Sequence, residues 1–409
     1  MVVIDHGTAG LRAGRPALGR LVADVEDFAA RTWGSHPALH RADELPGDVD
    51  DLFSEEAVDE LVSRRGLRTP FLRVARDGET LAARAFTSGG GTGAGIADQL
   101  DDSKLSALFA EGSTLVLQAL HRTYAPVTTF TQQLAADLGH PVQVNAYVTP
   151  PQSRGFDDHY DVHDVFVLQV AGRKRWRIHA PVHEAPLRDQ PWTDRRDEVA
   201  AAARTEPLID EVLEPGDCLY LPRGTLHAAT ALGDVSTHLT FGVHPWHGHH
   251  VATELGSAAL AALVEDPEVR ASLPLGVDLS RTDDVRERAE LVRAALLRAV
   301  ESVPVDTIVA ALTTQDRASS RPAPVGPLAQ LRAARNLTST DVLRLRDHVG
   351  ASVRDDRLHT RVGTFDATSL DTATLSGLLA GDEVEADRVG LDLAKDWLGR
   401  GLLVVARPR

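Results

Sequence analysis

Several short segments between residues 142 and 243 alternate between apolar and polar side chains with a period of two, which is the spacing of β-strands. Proline, glycine and aspartate lie at the turns, and no helical pattern separates the segments. Strands that follow one another without intervening helices predict an antiparallel barrel or sandwich. The expected strands cover residues 142–149, 162–170, 175–180, 211–222, 225–230 and 236–243.

Helical spacing of apolar residues precedes and follows this strand-rich stretch. It is expected over residues 17–33, 55–65, 113–139, 252–264 and 285–300. Pro126 lies inside the third of these segments and predicts a kink or a division there. Near the end of the chain, "LAKDWLGRGLLVVARP" predicts a helix that stops at Gly399 or Gly401 and is followed by a strand. This ending, after other short helices, indicates a small winged-helix-like module.

The chain has 409 residues, which is long enough for two or three domains. The stretch "SSRPAPVGP" is rich in proline and small residues and marks a domain boundary. We expect an N-terminal helical and lead-in region, a strand-rich core, a helical segment and the winged-helix-like module. Their limits are residues 1–112, 113–248, 249–320 and 321–409.

The composition excludes several classes of protein. No stretch of about 18 apolar residues could span a membrane, and a single cysteine, Cys218, excludes an internal disulfide and a cysteine-rich zinc site. The net charge of −16 argues against a chain that coats nucleic acid. Residues 321–409 carry 13 basic and 12 acidic side chains, so we expect no direct nucleic-acid partner. Because the N-terminal residues lack the pattern of a secretory signal, we expect a cytoplasmic protein.

The segment "HYDVHDVFVLQVAGRKRW", residues 159 to 176, combines possible metal ligands with an apolar run. On a strand, His159, Asp161 and His163 project from one face, so the spacing offers three candidate ligands and does not choose between them. A further histidine, His227, follows a turn in "LYLPRGTLHAA". Two histidines and one carboxylate on adjacent strands form a facial triad, which suits a non-haem Fe(II) oxygenase.

A lysine near this segment is unusual for the chain, which has 40 arginines and 3 lysines. Lys174 lies between Arg173 and Arg175. Lysine carries a compact charge on a slim stem, whereas arginine carries a planar fork. A narrow pocket that must hold one positive charge therefore favours lysine at this position.

These motifs resemble those of the JmjC branch of the cupin superfamily, and within it those of the ribosomal oxygenases. The resemblance rests on "NAYVTPPQSRGFDDHYDVHDVFVLQVAGRKRWRI" and "LEPGDCLYLPRGTLHAA", with support from the lead-in "FAARTWGSHPALHR" and the tail. It implies an α+β protein with a double-stranded β-helix core, N-terminal helices, a helical segment that forms a homodimer, and a winged-helix-like domain at the C-terminus.

The resemblance also implies roles for individual residues. The metal ligands fall on His159, Asp161 and His227, which excludes His163 from the set. The partner of the 2-oxoglutarate carboxylate falls on Lys174. The other polar residues that line the same pocket fall on Asn145 and Tyr147. The cofactors implied are Fe(II), 2-oxoglutarate as co-substrate, and O₂.

Two positions near this pocket need separate interpretation. His163 lies two residues beyond Asp161, where it either touches substrate at the pocket mouth or is an ordinary hydrogen-bonded histidine. Gly242 follows "HLTF" where the family often has a small hydroxyl residue, so the chain departs from the family pattern there.

The function implied is hydroxylation of a protein side chain, arginine or histidine, in a ribosomal protein. An acidic enzyme attracts such basic substrates. The alternatives are an oxygenase that acts on a small natural product or a biosynthetic peptide, and a non-catalytic metal-binding cupin. We expect a protein or peptide partner and no membrane.

Overall fold

The computed structural model describes residues 15–46, 49–76, 78–154 and 156–406. The first 14 residues, which belong to the expected N-terminal lead-in region, lie outside the described part. The chain divides into two compact units, Met1–Pro245 and Trp246–Arg409. Each unit is described by itself below, and the finer division into four domains stays a prediction.

The N-terminal unit is built on a nine-stranded antiparallel sheet within the described residues. Its strands follow the order β1-β10-β8-β11-β7-β6-β2-β3, and β9 pairs with β8. A separate pair, β4 and β5, lies outside this sheet. The strands of the unit are β1 (Ala38–His40), β2 (Leu72–Arg76), β3 (Glu79–Thr80), β4 (Thr87–Ser88), β5 (Gln99–Leu100), β6 (Thr114–Leu117), β7 (Val142–Thr149), β8 (Asp164–His179), β9 (Ile209–Leu213), β10 (Cys218–Leu221) and β11 (Leu226–Val243).

The α-helices of this unit are short, and all but one precede β7. They are α1 (Val25–Asp27), α2 (Glu55–Ser63), α3 (Asp102–Ala110), α4 (Leu120–Thr123), α5 (Ala125–Leu138) and α6 (Arg196–Ala202). The expected lead-in region is not only helical, because β1, β2 and β3 belong to the large sheet. The expected helix over 55–65 is present as α2, which Ser54 caps through its side chain.

Two of the helical expectations are wrong in detail. Over residues 17–33 the apolar spacing is correct, but Asp24 has extended backbone and caps α1, so the segment is broken into short helical turns. Over residues 113–139 the first part is the strand β6. Pro126 marks the predicted division and not a kink, since α4 ends at Thr123 and Pro126 lies in the first turn of α5, where its missing N–H costs no hydrogen bond.

Two strands of the sheet are much longer than the sequence pattern predicts. The expected strands 162–170 and 175–180 are one strand, β8, and 225–230 and 236–243 are one strand, β11. The two pair along their length, with a shift of register between Leu232 and His238. Gly172 and Gly233 have positive φ, which lets the chain bend at a bulge without ending the strand.

The two faces of β8 pack against different groups of side chains. Phe166 and Leu168 belong to a large core that also contains residues of the helices, and the rings of Phe130 on α5 and Phe241 on β11 lie 5.3 Å apart. Val165, Val167, Trp176, Ile178, Leu219 and Leu221 form a second cluster. Polar residues of the candidate site share this second, inner face.

The C-terminal unit contains helices followed by a small α+β module. Its helices are α7 (Gly248–Leu263), α8 (Pro267–Arg270), α9 (Thr282–Ser302), α10 (Val305–Ser319), α11 (Pro327–Asn336), α12 (Thr372–Ala380), α13 (Ala386–Val389) and α14 (Leu391–Gly399). Its strands are β12 (Val342–Leu345), β13 (Ser352–Arg354), β14 (Arg357–Thr360), β15 (Gly363–Asp366), β16 (Val384–Glu385) and β17 (Leu403–Val405).

The module of residues 321–406 has its own core, in which Trp397 and Phe365 are buried. Its strands form two three-stranded sheets, β16-β12-β17 and β13-β14-β15. The expected final helix stops at Gly399 and the expected strand follows it as β17. Among the described residues, none of the helices combines the length and the apolar character that a membrane span needs.

Candidate metal centre

The backbones of His159 and His227 pair directly. The His159 N–H donates to the His227 carbonyl at 3.1 Å, and the His227 N–H donates back to the His159 carbonyl at 2.8 Å. This antiparallel bridge sets the two rings 4.4 Å apart, centroid to centroid. His227 is the second residue of β11, whereas His159 lies before β8, in a segment whose only strand pairing among the described residues is this bridge.

Asp161 is held beside the two histidines by the turn before β11. The Gly224 N–H donates to the Asp161 carbonyl at 2.9 Å. Asp161 Oδ2 then lies 3.8 Å from His227 Nε2. Ligand atoms of His159, Asp161 and His227 all lie within 4.8 Å of one another. The strand predicted over 162–170 begins only at Asp164, so the turn, and not strand alternation, sets this geometry.

The protonation of the two rings leaves one nitrogen of each available to a metal. His159 Nδ1 lies 2.7 Å from the Asp157 carbonyl oxygen, and His227 Nδ1 lies 3.0 Å from that of Thr225. A carbonyl oxygen only accepts, so each Nδ1 carries the proton and each Nε2 has a free lone pair. Burial and the neighbouring His159 lower the pKa of His227 to about 4, so its ring is neutral at physiological pH.

Asp161 supplies the carboxylate of the candidate ligand set. Burial by itself would raise the pKa of Asp161, but the surrounding His163, His159 and His227 hold it below its usual value. The set therefore offers one carboxylate and two imidazole nitrogens close together. These are the donors of a facial triad, which suits Fe(II) and leaves coordination positions open.

Lys174 is buried on β8, with 4% of its surface exposed. Its Nζ donates to the Thr149 hydroxyl at 3.1 Å, and no ion pair to it is found among the described residues. Burial lowers the pKa of this ammonium to about 7. A buried cation whose only described partner is a neutral hydroxyl is a ready site for the carboxylate of a ligand.

Tyr147 and Asn145 lie on β7, the strand that also carries Thr149. Tyr147 pairs with His238 of β11, and their rings stack 4.9 Å apart at an interplanar angle of 3°. Burial, with a further contribution from Asp161, raises the pKa of Tyr147 to about 12. A hydrogen bond to the backbone orients the side chain of Asn145, because its Oδ1 accepts from the Ala119 N–H at 3.0 Å.

His163 lies at the edge of the site. Its Nδ1 is 3.2 Å from the Asp164 carbonyl oxygen, and its ring meets that of His244 edge-on at 5.0 Å. Gly242 makes room for it, because a Cβ at that position would come within 3.0 Å of His163 Cε1. A small hydroxyl residue at position 242, as in the family pattern, would therefore push His163 away.

Three residues near the site were missed by the sequence analysis. Arg73 of β2 lies in the same cross-strand row as Val116 and Tyr147, and its charge acts on both Tyr147 and Asp161. Trp176 has its ring 6.0 Å from that of His227, and Thr149 holds Lys174. Residues 71–76, "FLRVAR", do not alternate strictly, and only the tertiary fold shows that their strand joins the core sheet.

Comparison with known proteins adds to this geometry. Residues 121–251 match the model of the JmjC domain. Ribosomal oxygenase 1 of Bos taurus is 36% identical over 217 residues, which cover 49% of this chain and 32% of the relative. Over this region the chain is similar to the JmjC-domain ribosomal oxygenases. It spans about a third of the length of the first curated relatives that it matches.

The likeness of fold to solved ribosomal oxygenases extends over almost the whole chain. The crystal structure of Escherichia coli ribosomal oxygenase YcfD has a TM-score of 0.54 at 18% identity, covering 94% of this chain and 99% of that one. A structure of YcfD in complex with cobalt and 2-oxoglutarate has a TM-score of 0.52 at 16% identity, covering 93% and 98%. The expected α+β class with a JmjC core is confirmed.

Proposed function

We propose that this chain is an Fe(II)- and 2-oxoglutarate-dependent oxygenase. The observation that carries the proposal is that two elements lie on the same inner face of the sheet, linked by Trp176, whose ring contacts those of His227 and His238, and by His238, on which the charge of Lys174 acts. One is the cluster of His159, Asp161 and His227, and the other is the buried ammonium of Lys174. The complex of YcfD with cobalt and 2-oxoglutarate supports the same pair of ligands, a metal and a keto acid.

Each residue has a role that follows from its contacts. The Nε2 atoms of His159 and His227 and a carboxylate oxygen of Asp161 would hold the metal, which when bound supplies the activation of O₂ for hydroxylation. Lys174 would bind the distal carboxylate of 2-oxoglutarate through a charge-assisted hydrogen bond. Tyr147 stays protonated at physiological pH, so its hydroxyl can donate a hydrogen bond into the same space.

We propose a ribosomal protein as the substrate, and arginine or histidine as the modified residue. The family and the net charge of −16 support a basic protein partner, because opposite charge raises the rate of encounter. The cytoplasm is the compartment we propose, because ribosomal proteins are made there. The helices of residues 248–319 would form a homodimer, since they expose Leu260, Val264 and Leu297 by 59% to 62%.

The decisive experiment compares ribosomal proteins from a strain that carries the gene with those from a deletion strain. Intact-mass spectrometry should show one ribosomal protein about 16 Da heavier in the strain that has the enzyme. The purified enzyme with Fe(II), 2-oxoglutarate and O₂ should restore the missing mass in vitro. Formaldehyde release without a mass gain would instead indicate demethylation, and no change in any ribosomal protein would contradict the proposed substrate.

A further inference from the structure

A second cavity lies in the N-terminal unit, on the face of the sheet that packs against the helices. It has a volume of about 310 Å³ and opens between α2 and α3. Its walls are apolar, with Val58 on α2, Leu105 and Phe109 on α3, and Leu115 and Val148 on the sheet. The volume lies at the lower end of the roughly 300–1,000 Å³ of small-molecule pockets.

A polar atom without a partner lies at the bottom of this cavity. Thr237 of β11 lines it and is fully buried, and its hydroxyl makes no hydrogen bond with the described residues. Val235, two residues before Thr237 on β11, lines the same cavity. An unpaired buried hydroxyl is costly, and a ligand with its own polar atom would relieve that cost.

The rim of the cavity is acidic. Glu55 and Asp59 lie one turn apart on α2, and Asp102 lies on α3, all three exposed. None of them forms an ion pair with another described residue. The nearby Lys104 does not neutralise Asp102, because its Nζ donates to the Thr87 carbonyl at 2.7 Å.

We propose that this cavity binds a basic segment of a partner protein, with a tyrosine side chain inserted between α2 and α3. The ring would contact Leu105, Phe109 and Val148, and the phenol hydroxyl would hydrogen-bond with Thr237. Flanking arginine or lysine side chains would meet the carboxylates of the rim. A peptide segment fits better than a free amine, because three carboxylates on two helices need more than one cation.

The test uses the full-length protein and three tripeptides. These are acetyl-Arg-Tyr-Arg-amide, acetyl-Arg-Phe-Arg-amide and acetyl-Glu-Tyr-Glu-amide, and binding is followed by shifts of the Leu115 and Val148 methyl signals in NMR spectra. We expect the first peptide to bind most tightly and the acidic one not to bind. Equal binding of the acidic peptide, or no shift at about 10 mM of the first peptide, would overturn the proposal.

Substitutions separate the contributions of charge, shape and hydroxyl. Asp59→Asn should lower the affinity for the first peptide by about two- to fivefold. Glu79→Gln, which removes an exposed carboxylate on β3, should leave this affinity unchanged. Ser106→Phe at the cavity opening should abolish binding. Thr237→Val should make the tyrosine and phenylalanine peptides bind equally.

Three outcomes of this series contradict the proposal. They are an effect of Glu79→Gln as large as that of Asp59→Asn, unchanged binding after Ser106→Phe, and a tyrosine preference that persists after Thr237→Val. Thr237→Val keeps the shape of the side chain, and thermal melting of each variant checks that the fold is intact. Because the readout is binding, the result does not depend on the oxygenase activity.

Discussion

The buried ammonium of Lys174 lies in an environment that suits an anion, and no carboxylate pairs with it among the described residues. It is buried on β8, and the Thr149 hydroxyl is the partner of its Nζ. The sequence signals it through the scarcity of lysine in the chain. Its low pKa has a physical cause in burial, which penalises the charged form.

This pKa predicts how 2-oxoglutarate binding depends on pH. Below about pH 7 the ammonium is charged and can pair with a carboxylate, whereas above it the free protein must take up a proton to bind. We therefore expect affinity to fall by up to about tenfold per pH unit above neutrality. Anaerobic titration of the metal-loaded protein with 2-oxoglutarate at several pH values measures this affinity.

Lys174→Arg is the control for this pH dependence. Its guanidinium stays charged, so whatever affinity remains should vary little between about pH 6 and about pH 9. A wild-type affinity that is equally flat over this range would contradict the role given to Lys174.

The choice between Asp161 and His163 as a metal ligand is also a question about single residues. His159→Ala or Asp161→Ala should abolish the charge-transfer band that forms between Fe(II) and 2-oxoglutarate, because each removes one of three ligands. His163→Ala should keep the band, since the His163 ring packs against His244. Anaerobic absorption spectra of the variants measure this band. Its loss in His163→Ala alone would overturn the ligand assignment.

At the scale of elements, the turn that precedes β11 positions the candidate ligands. Gly224 has a φ of +86°, and its N–H holds the Asp161 carbonyl three residues before His227. A Cβ on Gly224 would lie 2.3 Å from the His183 carbonyl oxygen. The turn therefore accepts only glycine, for reasons of both φ and space.

Gly224→Ala should therefore destabilise the fold and weaken metal binding together. We expect a loss of several degrees in Tm and at least a tenfold loss of affinity for Co(II), measured by thermal melting and by metal titration. Gly233→Ala is the matched control, because Gly233 also has positive φ but its nearest atom to an added Cβ is 3.6 Å away on Arg173. Gly233→Ala should lower the free energy of unfolding by only about 1–2 kcal/mol, the cost of a left-handed backbone for alanine, and should leave the metal affinity unchanged. Equal effects of the two variants would contradict this account of the turn.

At the scale of the whole molecule, the two units have separate cores. The N-terminal core contains residues of the lead-in helices and of the sheet, and the module at the C-terminal end is organised around Trp397. Between them in sequence, α7 and α9 pack through Ala259, Leu263, Ala295 and Ala299, and leave apolar side chains exposed. This exposed surface is where we expect the homodimer to form.

Leu260→Glu combined with Leu297→Glu should convert the dimer to a monomer, because the two charges would be buried in the interface. Light scattering coupled to size-exclusion chromatography measures the mass. Leu328→Glu is the control, since Leu328 is 69% exposed on α11, outside the helical segment. A wild-type protein that is monomeric at micromolar concentration would refute the expected dimer.

Much of this protein could be predicted from its sequence because the signals are local. Alternation of apolar residues predicted where the strands run, although it divided β8 and β11 into two strands each. The spacing of His159, Asp161 and His227 predicted candidate ligands, which the fold brings within 4.8 Å of one another. The scarcity of lysine in the chain drew attention to Lys174. The fold class and the resemblance to the JmjC-domain ribosomal oxygenases are confirmed, whereas the roles of the site residues stay predictions.

Other features depend on contacts between segments that are distant in the sequence. Only the tertiary structure shows that the chain bends without a break at Gly172 and Gly233 and that Arg73 lies beside Tyr147. Likewise, it alone places Thr237 under the cavity between α2 and α3. Periodicity records whether a residue faces a core, but not which distant residue it meets there. The register between strands and the packing of helices on the sheet decide that.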